Sequence, residues 1–289
     1  MAAARENHLF CFGLGYTARA LARRLRANGW RVSGTTRDTD KLGALAAEGV
    51  TAVRFARDAP IDPGLLADAS HILSAVPPNE DGDVVLDVHG ADLAALQPAW
   101  VGYLSTTGVY GDRAGGWVDE TAALKPVGVR GHRRVAAEAG WRALGLPLHV
   151  FRLAGIYGPG RSALDIVRAG RAQRIDKPGQ VFSRIHVDDL AAVLAASMAQ
   201  PNPGAIYNVC DDDPAPPETV IAHACHLLGQ PVPPLVPFET ATLSAMARSF
   251  YEENKRVRNN RIKTELGVRL RYPDYRAGLA ALASAAAAR

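Results

Sequence analysis

Short apolar runs alternate with amphipathic stretches along the first two thirds of the chain. This alternation is typical of βαβ units, in which helices cover both faces of a parallel sheet. The apolar runs predict six strands, over residues 8–12, 31–36, 71–76, 101–105, 149–153 and 205–209. Between the first two runs, apolar residues repeat at helical spacing and a glycine follows where that helix would end: Ala18, Leu21, Ala22, Leu25 and Gly29. The pattern therefore predicts an α/β fold with a doubly wound parallel sheet.

The last third of the chain has a different sequence pattern. Two helices are predicted before it, over about residues 134–144 and 188–198, and Asp188 and Asp189 are expected to cap the second one. From residue 211 onward, proline-rich loops interrupt short helical stretches. The terminal segment, RAGLAALASAAAAR, favours a helix by propensity alone. These features indicate a smaller, less regular lobe after the sheet.

The composition and charge of the chain argue against several classes of protein. The 289 residues include 33 basic and 29 acidic side chains, and a net charge of +4 spread over this length argues against a nucleic-acid partner. No run approaches the roughly 18 apolar residues of a membrane span, and no signal peptide is evident at the N-terminus, so we expect a cytoplasmic protein without a membrane partner. Cys11, Cys210 and Cys225 lack the spacing of metal ligands or of a disulfide framework, so we expect no metal.

A glycine-rich turn follows the first predicted strand. Gly13, Gly15 and Ala18 form the pattern G-x-G-x-x-A, in which small residues permit a tight turn, a close approach to a diphosphate and close helix packing. The N–H groups at the start of the following helix, at Tyr16 and Thr17, would point at the phosphates. The sequence predicts a dinucleotide-binding turn, and the alternative is a glycine turn with no ligand.

The end of the second predicted strand bears on the choice between NADP and NAD. An NAD enzyme usually has an acidic residue here that binds the ribose 2′-OH, whereas an arginine suits a 2′-phosphate. Thr36 and Arg37 occupy this position, so we predict NADP, with NAD as the alternative. In that alternative Arg37 is a solvated charge, and Asp38 or Asp40 turns toward the ribose.

Four motifs occur in an order that points to a known family. They are LSTTGVYGD (104–112), RLAGIYGPGR (152–161), RIHVDDLA (184–191) and AIYNVCDD (205–212). Together they resemble the extended branch of the short-chain dehydrogenase/reductase superfamily, which contains nucleotide-sugar epimerases and dehydratases. The resemblance implies a Rossmann-type domain over 1–157 and 184–210, a small substrate lobe over 158–183 and 211–272, and a C-terminal helix over 273–289.

The resemblance also implies catalytic positions, and two of them have changed identity. Thr106 matches the residue that hydrogen-bonds the substrate oxygen, while Arg130 and Arg134 stand where the family has its catalytic Tyr and Lys. A guanidinium stays protonated at neutral pH, so Arg130 cannot act as a general acid or base. Arg134 keeps the positive charge with which the family's Lys contacts the cofactor ribose. We therefore predict an atypical member of the superfamily.

Further site residues are implied by the same resemblance. On the cofactor side, Asp58 is expected to meet the adenine amino group, and Ala75, Val76 and Pro77 are expected to form the loop that faces the nicotinamide. On the substrate side the candidates are Tyr110, Tyr157, Arg161, Arg184 and His186. The alternative for both tyrosines is a packing role, and the alternative for His186 is that it ends a strand.

Two functional hypotheses follow from these residues. The first is an NADP-binding oxidoreductase, epimerase or dehydratase lineage that acts on a nucleotide-sugar-like or other polar carbonyl substrate, with an unidentified residue in place of the Tyr. The second is a catalytically silent NADP-binding sensor that uses cofactor occupancy to bias an interface. Thr106 and the substrate lobe favour the first hypothesis, and Arg130 with Arg134 favours the second. A small-molecule partner and a monomer or homodimer are expected.

Overall fold

A computed structural model of the protein describes residues 7–287. In chain order its strands are β1 His8–Phe12, β2 Arg31–Thr36, β3 Thr51–Arg54, β4 His71–Ser74, β5 Trp100–Thr106, β6 Trp117–Val118, β7 Leu148–Leu153, β8 Gly155–Tyr157, β9 Arg174–Asp176, β10 Arg184–His186, β11 Ile206–Val209, β12 Leu235–Pro237 and β13 Arg256–Val257. Seven of these form one parallel sheet in the order β11-β7-β5-β4-β1-β2-β3. This is the doubly wound Rossmann-type sheet that the sequence predicts.

Helices cover the sheet on both faces. In chain order, the helices of the described residues are α1 Tyr16–Arg26, α2 Leu42–Ala47, α3 Val84–Ala94, α4 Val129–Ala143, α5 Ala163–Arg168, α6 Val187–Ala199, α7 Pro217–Leu227, α8 Ala245–Phe250, α9 Asn260–Thr264 and α10 Tyr275–Ala287. One apolar core joins the sheet to α1, α2 and α6, and a second joins it to α3 and α4. Strands β1 and β7 are buried along their whole length and are mostly apolar, which made them visible in the sequence. No helix within residues 7–287 is long and apolar enough to cross a bilayer.

The six predicted strands are present, with ends displaced by one or two residues. Strand β4 ends at Ser74, so Ala75 and Val76 belong to the following loop. Strand β3 ends at Arg54, which leaves Asp58 in the turn beyond it. Helix α3 was not predicted, because its sequence VVLDVHGADLA begins with β-branched residues and has no polar stripe at helical spacing.

Helices α4 and α6 begin earlier than the sequence indicated. Helix α4 starts at Val129, five residues before the predicted start, so Arg130 and Arg134 both lie on it. Helix α6 starts at Val187, and its N-cap is His186 rather than an aspartate. Asp189 instead points to the C-terminal part of the chain, where its carboxylate accepts the backbone N–H groups of residues 271 and 272 at 2.8 and 2.9 Å.

The strand order reverses next to β1, which lies between β2 and β4. Loops at the carboxyl ends of strands diverge at such a point and leave a crevice for a ligand. The glycine turn follows β1, and the loop of residues 75–77 follows β4, so both border this crevice. On the other side of the crevice, α5, α7 and α10 enclose a smaller apolar core around Leu164 and Leu279.

Candidate active site

A single large cavity runs along the carboxyl ends of the central strands. Its volume is about 1820 Å³, and it extends from the glycine turn past the end of β5 to the helices of the smaller core. Among the residues predicted for the site, those that line it are Gly15, Tyr16, Thr17, Ala18, Ala75, Pro77, Thr106, Arg130, Arg134, Tyr157, Arg161 and Arg184. The fold thus brings residues from widely separated positions in the chain to one surface.

The glycine turn has the geometry of an anion cradle. Gly13 has φ +86°, and its N–H donates to Thr35 Oγ1 at 2.9 Å, which ties the turn to β2. A Cβ on Gly13 would lie 3.0 Å from Val76 Cγ2, so that valine backs the turn, whereas a Cβ on Gly15 would meet no atom within 4 Å. Helix α1 has no side-chain N-cap and no acidic residue in its first turn. Its first N–H groups therefore suit a phosphate, and the residues present fit a dinucleotide.

Asp38, the first carboxylate after β2, is held by neighbouring residues of its own loop. Asp38 accepts the backbone N–H of Asp40 at 3.1 Å and pairs with Lys41 at 3.2 Å. The hydrogen bond from Lys41 is the main reason why the pKa of Asp38 lies below its usual range. Arg37 is exposed beside them, and Thr36 is buried with its hydroxyl accepting from the backbone N–H of Asp38.

Asp58 stands apart from the cavity. Its carboxylate is paired with Arg54 at 3.3 Å, and its side chain is largely exposed. It does not line the cavity as the structure describes it, and neither do Thr36, Arg37 and Val76. A ligand that reached these residues would have to lie across the open surface beyond the glycine turn.

Thr106 is the last residue of β5, and its half-buried side chain faces the cavity. Its Oγ1 accepts the N–H of Gly108 at 3.2 Å, which fixes the rotamer and leaves the hydroxyl proton to donate to a ligand. The preceding residue, Ser105, donates to Glu138 of α4 at 2.6 Å. The edge of the sheet and α4 are therefore joined beside the threonine.

Arg130 and Arg134 of α4 are each held by contacts with neighbouring elements. Arg134 donates to the carbonyl of Leu104 at 2.6 Å and to the Tyr103 hydroxyl at 3.1 Å, so its charge lies at the end of β5. Arg130 donates to Ser249 Oγ at 2.7 Å, and its guanidinium carbon lies 4.7 Å from the ring centroid of Phe250. Arg130 thus connects α4 to α8 across the cavity rim.

The tyrosines near the site are poor proton carriers at neutral pH. Burial raises the pKa of Tyr16, Tyr157 and Tyr251, which line the cavity. Tyr110 lies behind the cavity wall, where its hydroxyl donates to Asn208 at 2.7 Å, and burial raises its pKa as well. A catalytic tyrosine needs a lowered pKa, and in this structure none of these four has one.

The remaining predicted substrate residues fall into two groups. Arg184 lines the cavity and is half-buried; desolvation lowers the pKa of its guanidinium, which donates to the carbonyl of Phe182 at 2.7 Å. Arg161 is exposed, with its guanidinium carbon 5.7 Å from the Tyr16 ring centroid. His186 is buried outside the cavity, where its Nδ1 accepts the N–H of Asp188 at 3.2 Å. The structure therefore brings the two arginines to the cavity and leaves the histidine in a structural position.

Several charged residues in the cavity wall were not predicted, and two of them form an ion pair. Glu253 and Lys255 lie between α8 and β13 and contact each other, and both line the cavity. They occur in an irregular stretch, YEENKR, where charged residues are common and no spacing marks them out. Their position depends on the parallel pairing of β13 with β6, which no local pattern reveals. Within residues 7–287, no cluster of three or more His, Cys, Asp or Glu is arranged to hold a metal ion.

Comparison with known proteins shows that the chain shares the Rossmann-type fold of several solved structures. No protein-family profile matches it. It is 28% identical to protein YeeZ of Escherichia coli K12 over 277 residues, which cover 91% of this chain and 95% of that protein. A conserved protein of unknown function from Silicibacter pomeroyi DSS has a solved structure with 55% identity and a TM-score of 0.90, covering 97% of this chain and 99% of that one.

Two further similar structures are of proteins named as enzymes. A proposed NAD-dependent epimerase/dehydratase from Methylobacillus flagellatus is 26% identical, with a TM-score of 0.75 and coverage of 98% of this chain and 100% of that one. UDP-glucuronic acid 4-epimerase from Bacillus cereus, solved in complex with NAD, has the same fold at 15% identity, with a TM-score of 0.78 and coverage of 96% and 97%. With the glycine turn and the sheet order described above, the chain resembles an atypical short-chain dehydrogenase/reductase of the extended epimerase/dehydratase kind.

Proposed function

We propose that the protein is an NADP-dependent oxidoreductase that acts on a polar carbonyl or hydroxyl group, in a nucleotide-sugar-like or similar substrate. The observation that carries this proposal is the continuous cavity of about 1820 Å³ between the glycine turn and the smaller core. Ligand pockets for one drug-sized molecule measure about 300–1,000 Å³, so this volume suits a dinucleotide together with a second molecule. In this proposal residues 158–183 and 211–272 form the substrate lobe.

The cofactor assignment follows from the residues on both sides of the turn. The first N–H groups of α1 would hold the diphosphate, and a bound nicotinamide dinucleotide would supply hydride transfer. NADP is favoured over NAD because Arg37 is exposed after β2, while Asp38 is occupied by Lys41 and a backbone N–H. A free carboxylate at this point would instead bind the ribose 2′-OH of NAD. UDP-glucuronic acid 4-epimerase, which has the same fold, holds NAD.

The roles of the chain's own residues follow from their positions in the cavity. Thr106 has a fixed hydroxyl that can donate to the reacting oxygen of the substrate. Arg134 places a permanent positive charge at the end of β5, near the proposed reacting centre. On the lobe side, Arg184 has a half-buried guanidinium that would pair with an anionic group such as a phosphate. Together these residues orient a polar, anionic substrate.

The proposed function is tested by measuring cofactor binding first and substrate turnover second. Calorimetric titration with NADPH and NADH measures both affinities, and we expect NADPH to bind at least about tenfold more tightly, since one charged hydrogen-bonded contact contributes about 1.5–3 kcal/mol. Oxidation of NADPH is then followed with a panel of aldehydes, ketones and 4-keto nucleotide sugars. Turnover of any member supports the proposal. Tight binding with no turnover across the panel would contradict it.

A second candidate is a silent NADP-binding sensor, and one observation favours it. Arg130 connects α4 to Ser249 and Phe250 at the rim, so a change at α4 would be transmitted to α8, whose Met246 is 63% exposed. This candidate predicts that NADPH changes the hydrogen exchange of α8 and that no carbonyl compound is reduced. The double variant Arg130→Tyr with Arg134→Lys separates the two. Gain of turnover from an inactive parent shows that only the proton relay was missing.

A further inference from the structure

An acidic side chain from the far end of the chain reaches the part of the cavity that Thr106 lines. A Cβ placed on Gly108 would lie 3.5 Å from Thr106 Oγ1 and 4.0 Å from Glu253 Oε2. Because glycine has no side chain, this space stays open, and both oxygens border it. A substrate oxygen bound by Thr106 there would lie within direct or single-water reach of the Glu253 carboxylate, which is the distance requirement for a general base.

The carboxylate is held by a neighbouring ammonium group. Glu253 Oε2 contacts Lys255 Nζ, and Lys255 Nζ also donates to the carbonyl of Gly111 at 3.0 Å. The side chain of Lys255 is 9% exposed and that of Glu253 is 18% exposed, so the pair is shielded from bulk water except through the cavity. An isolated surface ion pair would not keep one geometry in this way.

The backbone on which Glu253 lies is fixed from two sides. Its carbonyl accepts Gln180 Nε2 at 2.8 Å, on the lobe side. The next N–H, of Asn254, donates to Asp112 Oδ1 at 2.8 Å, in the loop that follows Thr106 and Gly111. Strand β13 then pairs with β6. A catalytic group on so constrained a segment needs little reorganisation when a substrate binds.

We infer that Glu253 is the proton carrier of this site, taking the place that Arg130 cannot fill. The inference rests on the proposed oxidoreductase function. In the oxidising direction, the substrate C–H bond breaks with both electrons leaving as hydride to the nicotinamide acceptor. The O–H bond breaks with its proton passing to the Glu253 carboxylate, and the C=O double bond forms. The reducing direction returns the same proton to the carbonyl oxygen as hydride adds to carbon. Lys255 positions the carboxylate.

The test compares Glu253→Gln with a matched control, Glu239→Gln, which alters an exposed glutamate of the same lobe. The rate is measured with the carbonyl compound of the panel that the wild type reduces fastest. Loss of a general acid–base group costs about 10²–10⁴ in rate, so Glu253→Gln is expected to lower kcat at least about 100-fold. NADPH affinity and the melting temperature should stay at the wild-type values. Formate should restore part of the rate to Glu253→Ala, because it supplies the missing carboxylate.

A second readout does not depend on turnover. Carbodiimide activation of the native protein, followed by peptide mass analysis, should couple Glu253 either to added glycinamide or directly to Lys255. An unmodified Glu253 beside a modified Glu239 would mean that the carboxylate does not face the cavity, and the inference would fall. If the wild type turns over and Glu253→Gln stays within about threefold of it, the inference is overturned while the proposed function stands. If the wild type reduces no compound of the panel, the inference and the proposed function both fail.

Discussion

Ser105 Oγ donates a hydrogen bond of 2.6 Å to Glu138 Oε1 and thereby joins the end of β5 to α4. Arg152 of β7 completes the contact, with its Nη2 2.9 Å from Glu138 Oε2. Burial alone would raise the pKa of Glu138, but the hydrogen bonds and the charge of Arg152 outweigh it, so this pKa lies below its usual range. The buried network fixes Thr106 relative to Arg134, which α4 carries.

Glu138→Gln should destabilise the protein, because it leaves the buried Arg152 charge without its partner. Breaking one side of a buried pair costs about 3–5 kcal/mol in the free energy of unfolding. The control Glu48→Gln removes a partly exposed pair with Arg19 and should cost less than about 1 kcal/mol. Urea denaturation measures both values. Equal losses would mean that the buried network contributes no more than a surface pair.

The free energy of unfolding should depend on pH through the carboxyl group of Asp211. Burial raises the pKa of this carboxyl to about 8. Between about pH 4 and 8, the unfolded chain has lost this proton while the folded protein keeps it. The free energy of unfolding therefore falls as pH rises through this window, by up to about 1.4 kcal/mol per pH unit from this group.

Asp211→Asn removes that slope. Its unfolding free energy should decline less steeply than that of the wild type between pH 5 and 7.5, as measured by urea denaturation at several pH values. Asp119→Asn alters a carboxyl whose pKa is lowered, mainly by its hydrogen bond with Thr121, and should leave this window unchanged. Parallel wild-type and Asp211→Asn curves would show that the Asp211 carboxyl is ionised in the folded protein.

Arg37→Ala tests the choice of cofactor. The variant should weaken NADPH binding about tenfold and leave NADH binding unchanged, because only NADPH has the 2′-phosphate that a guanidinium would bind. Arg24→Ala removes a charge from the exposed face of α1 and should change neither affinity. Calorimetry measures all four constants. An unchanged ratio of NADPH to NADH affinity in Arg37→Ala would reject the NADP assignment.

Gly13→Ala tests the glycine turn. Gly13 has φ +86° and little room for a Cβ beside Val76, so alanine would be strained by about 1–3 kcal/mol and would displace the turn. Gly29→Ala provides the control, because Gly29 has φ +79° with no atom within 4 Å of its Cβ position. Both variants should lose stability, and only Gly13→Ala should lose dinucleotide binding. Tight NADPH binding by Gly13→Ala would contradict a cofactor role for the turn.

Local patterns were enough to predict the glycine turn and six of the seven strands of the sheet, all but β3. Strands buried on both faces are continuously apolar, and a tight turn with room for a phosphate needs small residues at fixed spacing. Element ends were predicted less well. Helix α4 starts at Val129, and a Cβ on Gly131 in its first turn would lie 3.0 Å from the carbonyl oxygen of Gly108, so this turn packs against a residue more than 20 positions earlier in the chain.

The amino-acid sequence by itself determined the Rossmann-type fold, the glycine turn after β1 and the arginines at positions 130 and 134, because these depend on residue type and short-range spacing. Only the tertiary structure decided which polar side chains face the cavity. In the folded protein, Tyr110 and His186 are buried in the interior, and Glu253 lies at the space beside Gly108. The physical reason is that such contacts arise from strand pairing and burial across more than 100 residues, as in the pairing of β13 with β6.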